Sequence, residues 1–104
     1  MRAAGPVVHH LEEHRLLAAL PRSDRRRTAQ KMHLVSVNPR SLRYESTDAI
    51  TDVFFPLSAV FSLSGTTSEG HVVEVGQIGC EGIAGVEVGT TRIIQTGAAV
   101  NRQV

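Results

Sequence analysis

DVFFPLSAVFSLSGTTSEGHVVEVGQIGCEGIAG, residues 52–85, contains three short runs of strand-forming residues: Asp52–Phe55, Val60–Leu63 and Val72–Val75. A Pro break and a Gly-bearing loop part them, and a glycine cluster follows. Short runs rich in Val and Phe and bounded by turn residues predict an antiparallel barrel or sandwich rather than an α/β fold. Their period is two: Phe61 and Leu63 oppose Ser62 and Ser64, and Val73 and Val75 oppose Glu74 and Gly76. Thr67-Ser68-Glu69-Gly70 is the predicted hairpin connection, with Gly70 at positive φ. Pro56 closes the first run at a sheet end or edge, where its missing N–H costs little. Nothing here resembles a nucleophile or a metal cage, so the stretch reads as a sensing or binding shell, not a catalyst.

Upstream, His9–Leu20 predicts an amphipathic helix, with Leu16, Leu17 and Leu20 on one face and Pro21 ending it. A second helix is predicted from about Ser23 to Met32, capped by Ser23, with Asp24 in its first turn; its thin apolar content places it on the surface. His33–Val37 is the next strand, ended by Asn38-Pro39, and Leu42–Glu45 a short one after it. Downstream, Ile93–Gln95 and Ala98–Val104 are the last strands, parted by a turn at Gly97. The chain stops inside that last run, so an open edge is expected there, left by a missing segment or covered by a partner.

A chain of 104 residues makes one small domain, here divided into a helical segment (1–32) and a β-barrel (33–104). With three Phe, one Tyr and no Trp, the core is expected to rest on Val, Leu, Ile and Ala. One cysteine excludes an internal disulfide framework, which fits a reducing, cytoplasmic setting. No signal peptide is expected, since Met1–Pro6 is not followed by an apolar run, and no run of these residues reaches membrane-spanning length. The net charge of +1 hides an asymmetry: residues 1–50 hold nine Lys and Arg against five acids, and residues 51–104 hold two against five. A basic front half of this density reads as a solvated helical surface, Arg25-Arg26-Arg27 included, rather than as a nucleic-acid face.

Other chemistry is weighed against plainer roles. His10 and His14 share a helical face at ligand spacing, but no acid or Cys lies at a supporting spacing, so a solvated surface is favoured. His71 and Glu74 would suit a cupin-like metal site only if they shared a strand face, which a spacing of three forbids. Cys80, beside Glu81, reads as a small turn residue. Gly76, Gly79, Gly82 and Gly85 recur every three residues and serve tight turns and close packing before they serve an anion. No catalytic residue, metal or cofactor is expected.

Taken in order, Leu16-Leu17-Ala18-Ala19-Leu20-Pro21 with Asp24-Arg25, then Leu42–Glu45, Val53–Leu63 and Val73–Gly85, resemble the N-terminal sensor domain of regulators of the cyclic-AMP receptor protein type (Crp/Fnr). The resemblance covers roughly residues 12–104. It implies a mainly β fold, a small jelly-roll or double-stranded β-helix barrel with two N-terminal helices and incomplete C-terminal closure. It also implies a small-molecule effector, a protein partner or homodimer, and a DNA-binding unit absent from these residues, so that this chain alone binds no nucleic acid and no membrane. The family's effector cassette falls on Gly82, Gly85, Val86, Glu87, Thr90, Thr91 and Arg92. Cyclic-nucleotide binders of the family carry Gly-Glu for the ribose and Arg-Ser or Arg-Thr for the phosphate. Here Val86 follows Gly85, Glu87 comes one place late, and Arg92 follows Thr90-Thr91. A one-residue slip turns a strand side chain to the other face, so the cassette does not specify a cyclic nucleotide. The expected function is a sensor whose effector is left open. The alternatives are a stand-alone module that pairs with full-length relatives and a cupin-like metal enzyme.

Overall fold

The computed structural model describes residues 2–3, 10–40, 43–44, 52–85 and 90–103. Strand β1 (Arg2–Ala3) is followed by a 3-10 turn at Leu11–Glu13 and two helices, α1 (Arg15–Ala18) and α2 (Arg22–Ala29). Strands β2 (His33–Val37), β3 (Arg43–Tyr44), β4 (Asp52–Pro56), β5 (Val60–Thr66), β6 (Val72–Ile78), β7 (Thr90–Gln95) and β8 (Gly97–Gln103) complete the order. The described strands form two antiparallel four-stranded sheets, β1-β2-β8-β4 and β3-β7-β5-β6, which do not close into a continuous barrel. This is the mainly β, antiparallel architecture expected from the strand pattern, in the open jelly-roll form that the resemblance implies. The part of the predicted Leu42–Glu45 strand outside Arg43–Tyr44 lies outside the described residues.

Three layers result, because the first sheet is covered on both faces. Val35, Val37, Phe54 and Ala99 meet Phe61 and Ile93 of the second sheet in the inter-sheet core. On its other face Leu34 and Val100 pack with Leu11, Leu17 and Met32 of the helical layer, joined by Phe55 and Ala98. Alternation explains the division: Phe54 points between the sheets and Phe55 towards the helices. The core rests mostly on Val, Leu, Ile and Ala, as expected, with two of the scarce aromatics among its buried residues. Phe54 and Phe61 are fully buried with ring centroids 5.5 Å apart, since each covers more apolar area than any aliphatic side chain.

Several boundaries move. The hairpin between β5 and β6 turns at Gly70 with φ +85, as its sequence requires. Gly97 is not a turn but the first residue of β8; a Cβ there would lie 2.5 Å from the Ala59 nitrogen, so the 57–59 turn needs glycine beneath it. The last strand is not at an edge: β8 pairs with β2 on one side and β4 on the other. Among the described residues the edge strands are β1, β4, β3 and β6. Pro56 ends edge strand β4, where its missing N–H is harmless. Helix α2 begins after Pro21, not Ser23, and has no side-chain cap. It buries none of its residues, as its composition predicts, although Arg25 folds inward, its side chain 20% exposed, to pair with Glu12 at 3.1 Å.

The single helix predicted for His9–Leu20 is broken. His14 has φ −106° and ψ 126°, an extended conformation between the 3-10 turn and α1. Leu11 and Leu17 are both buried in the helical layer; six residues apart, they would sit about 120° from one another on one continuous helix. The break lets both reach the same core.

Candidate effector-binding site

The turn after β6 is built on short local bonds and then tied to two neighbours. Gly82 N–H donates to the Gly79 carbonyl at 3.1 Å, and Gly79 N–H to Glu81 Oε1 at 3.3 Å. Beyond it, Ala84 forms an isolated bridge to Phe54 of β4, with reciprocal bonds of 2.8 and 2.9 Å. Gly85 follows at φ +103, its Cα so close to β4 that a Cβ would lie 2.7 Å from the Asp52 carbonyl oxygen. Gly82 is similarly close-packed against the Ile78 side chain. Gly76, of the same three-residue series, has open space beside it, so packing does not account for every member.

The second tie runs to the helical layer. Arg15 N–H donates to the Cys80 carbonyl at 2.8 Å. His14 Nε2 donates to the Gly82 carbonyl at 2.6 Å, and His14 Nδ1 accepts from the Leu16 and Leu17 N–H groups at 3.2 and 3.4 Å. These roles require the neutral ring with its proton on Nε2. The ring is fully buried and meets Phe55 edge-on, centroids 5.3 Å apart. His14 is therefore neither a surface residue nor a partner of His10, which pairs with Glu13 at 2.5 Å. It is the N-cap of α1 and its clasp to the turn. Sequence reasoning missed it because histidines four apart beside leucines read as a helix face; the signal available was the Leu11–Leu17 spacing.

Thr90, Thr91 and Arg92 open β7. Thr91 and Ile93 alternate with Thr90 and Arg92, and Ile93 lies in the inter-sheet core. Thr91, 2% exposed and opposite Leu63, thus turns inward, whereas Arg92 is exposed on the outer face opposite Ser62 and Arg43. That outer face is polar. Ser62 is buried there despite facing outward, its hydroxyl donating to Glu74 Oε2 at 2.8 Å, while Gln77 Nε2 donates to Glu74 Oε1 at 3.2 Å. Val86 and Glu87 lie outside the described residues. The structure thus sets Gly82 and Gly85 in one anchored turn, and Thr91 and Arg92 on opposite faces of β7. Among the described residues no three His, Cys, Asp or Glu side chains group as metal ligands would, and no helix is long and apolar enough to cross a membrane.

The fold is that of cyclic-nucleotide-binding domains. A cyclic nucleotide-binding domain from Methylobacillus flagellatus superposes with a TM-score of 0.78 at 10% identity, over 98% of this chain and 66% of that one. The N-terminal domain of a transcriptional regulator from Streptomyces coelicolor gives 0.69 at 15% identity, over 89% and 71%. The regulatory subunit of a cAMP-independent protein kinase A from Trypanosoma cruzi, bound to guanosine, gives 0.77 at 10% identity, over 92% of this chain and 37% of that subunit. The chain thus spans well under half of the kinase subunit it matches. No protein-family model and no curated protein matches the sequence.

Proposed function

We propose that residues 33–104 are the sensor barrel, and residues 1–32 the helical segment, of a transcription regulator of the Crp/Fnr type, cytoplasmic and non-enzymatic. Its small-molecule effector is held by Gly82, Gly85, Val86, Glu87 and Thr91; Thr90 and Arg92, also expected there from the sequence, lie on the other face of β7 and are left out. The observation that carries this is the double tie of the 80–82 turn to the helical layer, through Arg15 N–H and His14 Nε2. A ligand that shifts the turn must shift α1 with it, which is what a sensor needs. Support for an effector without a cyclic phosphate comes from Arg92, the nearest cation in sequence, which faces out on the side of β7 opposite the buried Thr91. A phosphate needs a fixed cation or converging N–H donors. The guanosine-bound kinase subunit, similar in fold, makes an uncharged nucleoside the first probe to try. Titration calorimetry should give saturable binding with guanosine or another phosphate-free ligand and none with cyclic AMP or cyclic GMP. Micromolar binding of either cyclic nucleotide, lost in Arg92→Ala, would overturn the assignment.

A second reading rests on β6, an edge strand on which Val72, Val73 and Val75 are 73%, 45% and 64% exposed. A second copy of this chain fits that edge. Antiparallel pairing centred on Val75 sets Glu74 against Gly76 and no carboxylate against another. Light scattering after size exclusion should show a dimer that Val75→Lys converts to monomer. A wild-type monomer at high concentration sinks this reading.

A further inference from the structure

The basic front half is not spread evenly over the surface. A cleft of about 560 Å³ lies between α2 and β8, lined by Asp24, Arg27, Thr28, Gln30, Lys31 and Arg102. It holds three cations against one carboxylate, and that carboxylate is engaged: Asp24 pairs with Arg27 one helical turn on. The side chains of Lys31 and Arg102 have no hydrogen-bond or ion-pair partner among the described residues. Arg102 matters most. It follows Ala98 and Val100 on the helix-facing side of β8, where both earlier residues pack against the helical layer. A half-buried guanidinium on that face, with no ion pair among the described residues and the cleft's one carboxylate, Asp24, paired to Arg27, is a cation without its counter-charge. The carbonyls that would repel an anion at the end of α2 are already used: Lys31 N–H takes the Thr28 oxygen at 3.1 Å and Met32 N–H the Ala29 oxygen at 3.2 Å.

We infer that this cleft binds a compact polyanion of the phosphate class, at a site separate from the effector turn. Arg27 and Arg102 supply forked donors, Lys31 a point charge, and Thr28 and Gln30 neutral hydrogen bonds. The volume suits a small molecule, within the roughly 300–1,000 Å³ usual for such sites. No lining residue is aromatic or aliphatic, so the cleft offers nothing to a base or an acyl chain. Charge and hydrogen bonding alone would select the ligand.

Inorganic diphosphate is the probe, titrated at low salt and followed by calorimetry and by amide NMR shifts. Saturable binding is expected, weakening as salt rises, with shifts at Thr28–Lys31 and Arg102. Lys31→Gln, an exposed change that leaves the fold intact, and Arg102→Gln should each weaken it about tenfold or more. Arg26→Gln, on the same helix but outside the cleft, should leave it unchanged. Absence of saturable binding at millimolar diphosphate would overturn the site. So would an equal loss in Arg26→Gln, which would mean diffuse attraction, or binding of duplex DNA without any of diphosphate.

Discussion

Gly85→Ala should destabilise the domain by about 3 kcal/mol, near 15 °C in Tm for a chain of this size. Two costs combine. At φ +103 an L-residue is strained whatever the space around it, worth about 1–2 kcal/mol. The new methyl would also sit 2.7 Å from the Asp52 carbonyl and 3.5 Å from the Val53 Cα, both backbone atoms that cannot swing aside. Relief requires the turn to lift from β4, which breaks the reciprocal Ala84–Phe54 bonds, each worth about 1 kcal/mol. Gly76→Ala is the matched control. It has open space and no positive φ, so its effect should be near zero. Urea unfolding of both variants decides the point, and a Gly85→Ala loss below about 1 kcal/mol would mean the turn is not fixed on β4.

That contrast marks what could be read in the sequence. The three-residue glycine series is visible at once, but Gly76 and Gly85 look alike in it. Only backbone φ and the approach of β4 separate them, and that contact joins Gly85 to Asp52, 33 residues earlier. Strands were legible wherever alternation met a clear stop. His33–Val37 is bounded as read because Asn38-Pro39 cannot continue it; the β5–β6 connection is legible because Gly70 punctuates it, although β5 and β6 each run three residues past the quoted runs, to Thr66 and Ile78. Pairing was not legible. Nothing in Ala98–Val104 announces a central strand, since the same apolar alternation serves an edge, and the partners β2 and β4 are remote in sequence. The candidate site was legible as an address along the chain. Its geometry was not, because the face of Arg92 depends on the register of β7 against β5.

His14→Ala should cost still more, about 3–5 kcal/mol, a large share of the total for a domain this small. The side chain is fully buried, so its removal leaves a cavity beside Phe55. The Leu16 and Leu17 N–H groups lose their acceptor, a cap worth roughly 0.5–2 kcal/mol. The Gly82 carbonyl loses its donor at 2.6 Å, and an unsatisfied buried group costs about 1–3 kcal/mol. His14→Asn separates these roles: its amide oxygen can still cap α1, but the side chain is too short to reach Gly82. It should therefore keep the Leu16 and Leu17 amides protected from hydrogen exchange while the turn amides of Gly82 and Ala84 exchange faster. The Arg15 amide, bonded to the Cys80 carbonyl, reports the coupling directly. If it stays protected in His14→Asn, the backbone contact alone holds the turn to α1. If its protection falls with that of the turn, the imidazole is the clasp through which movement at residues 80–85 reaches the helices. A stability change below about 1 kcal/mol in His14→Ala would remove the clasp from the sensor proposal altogether.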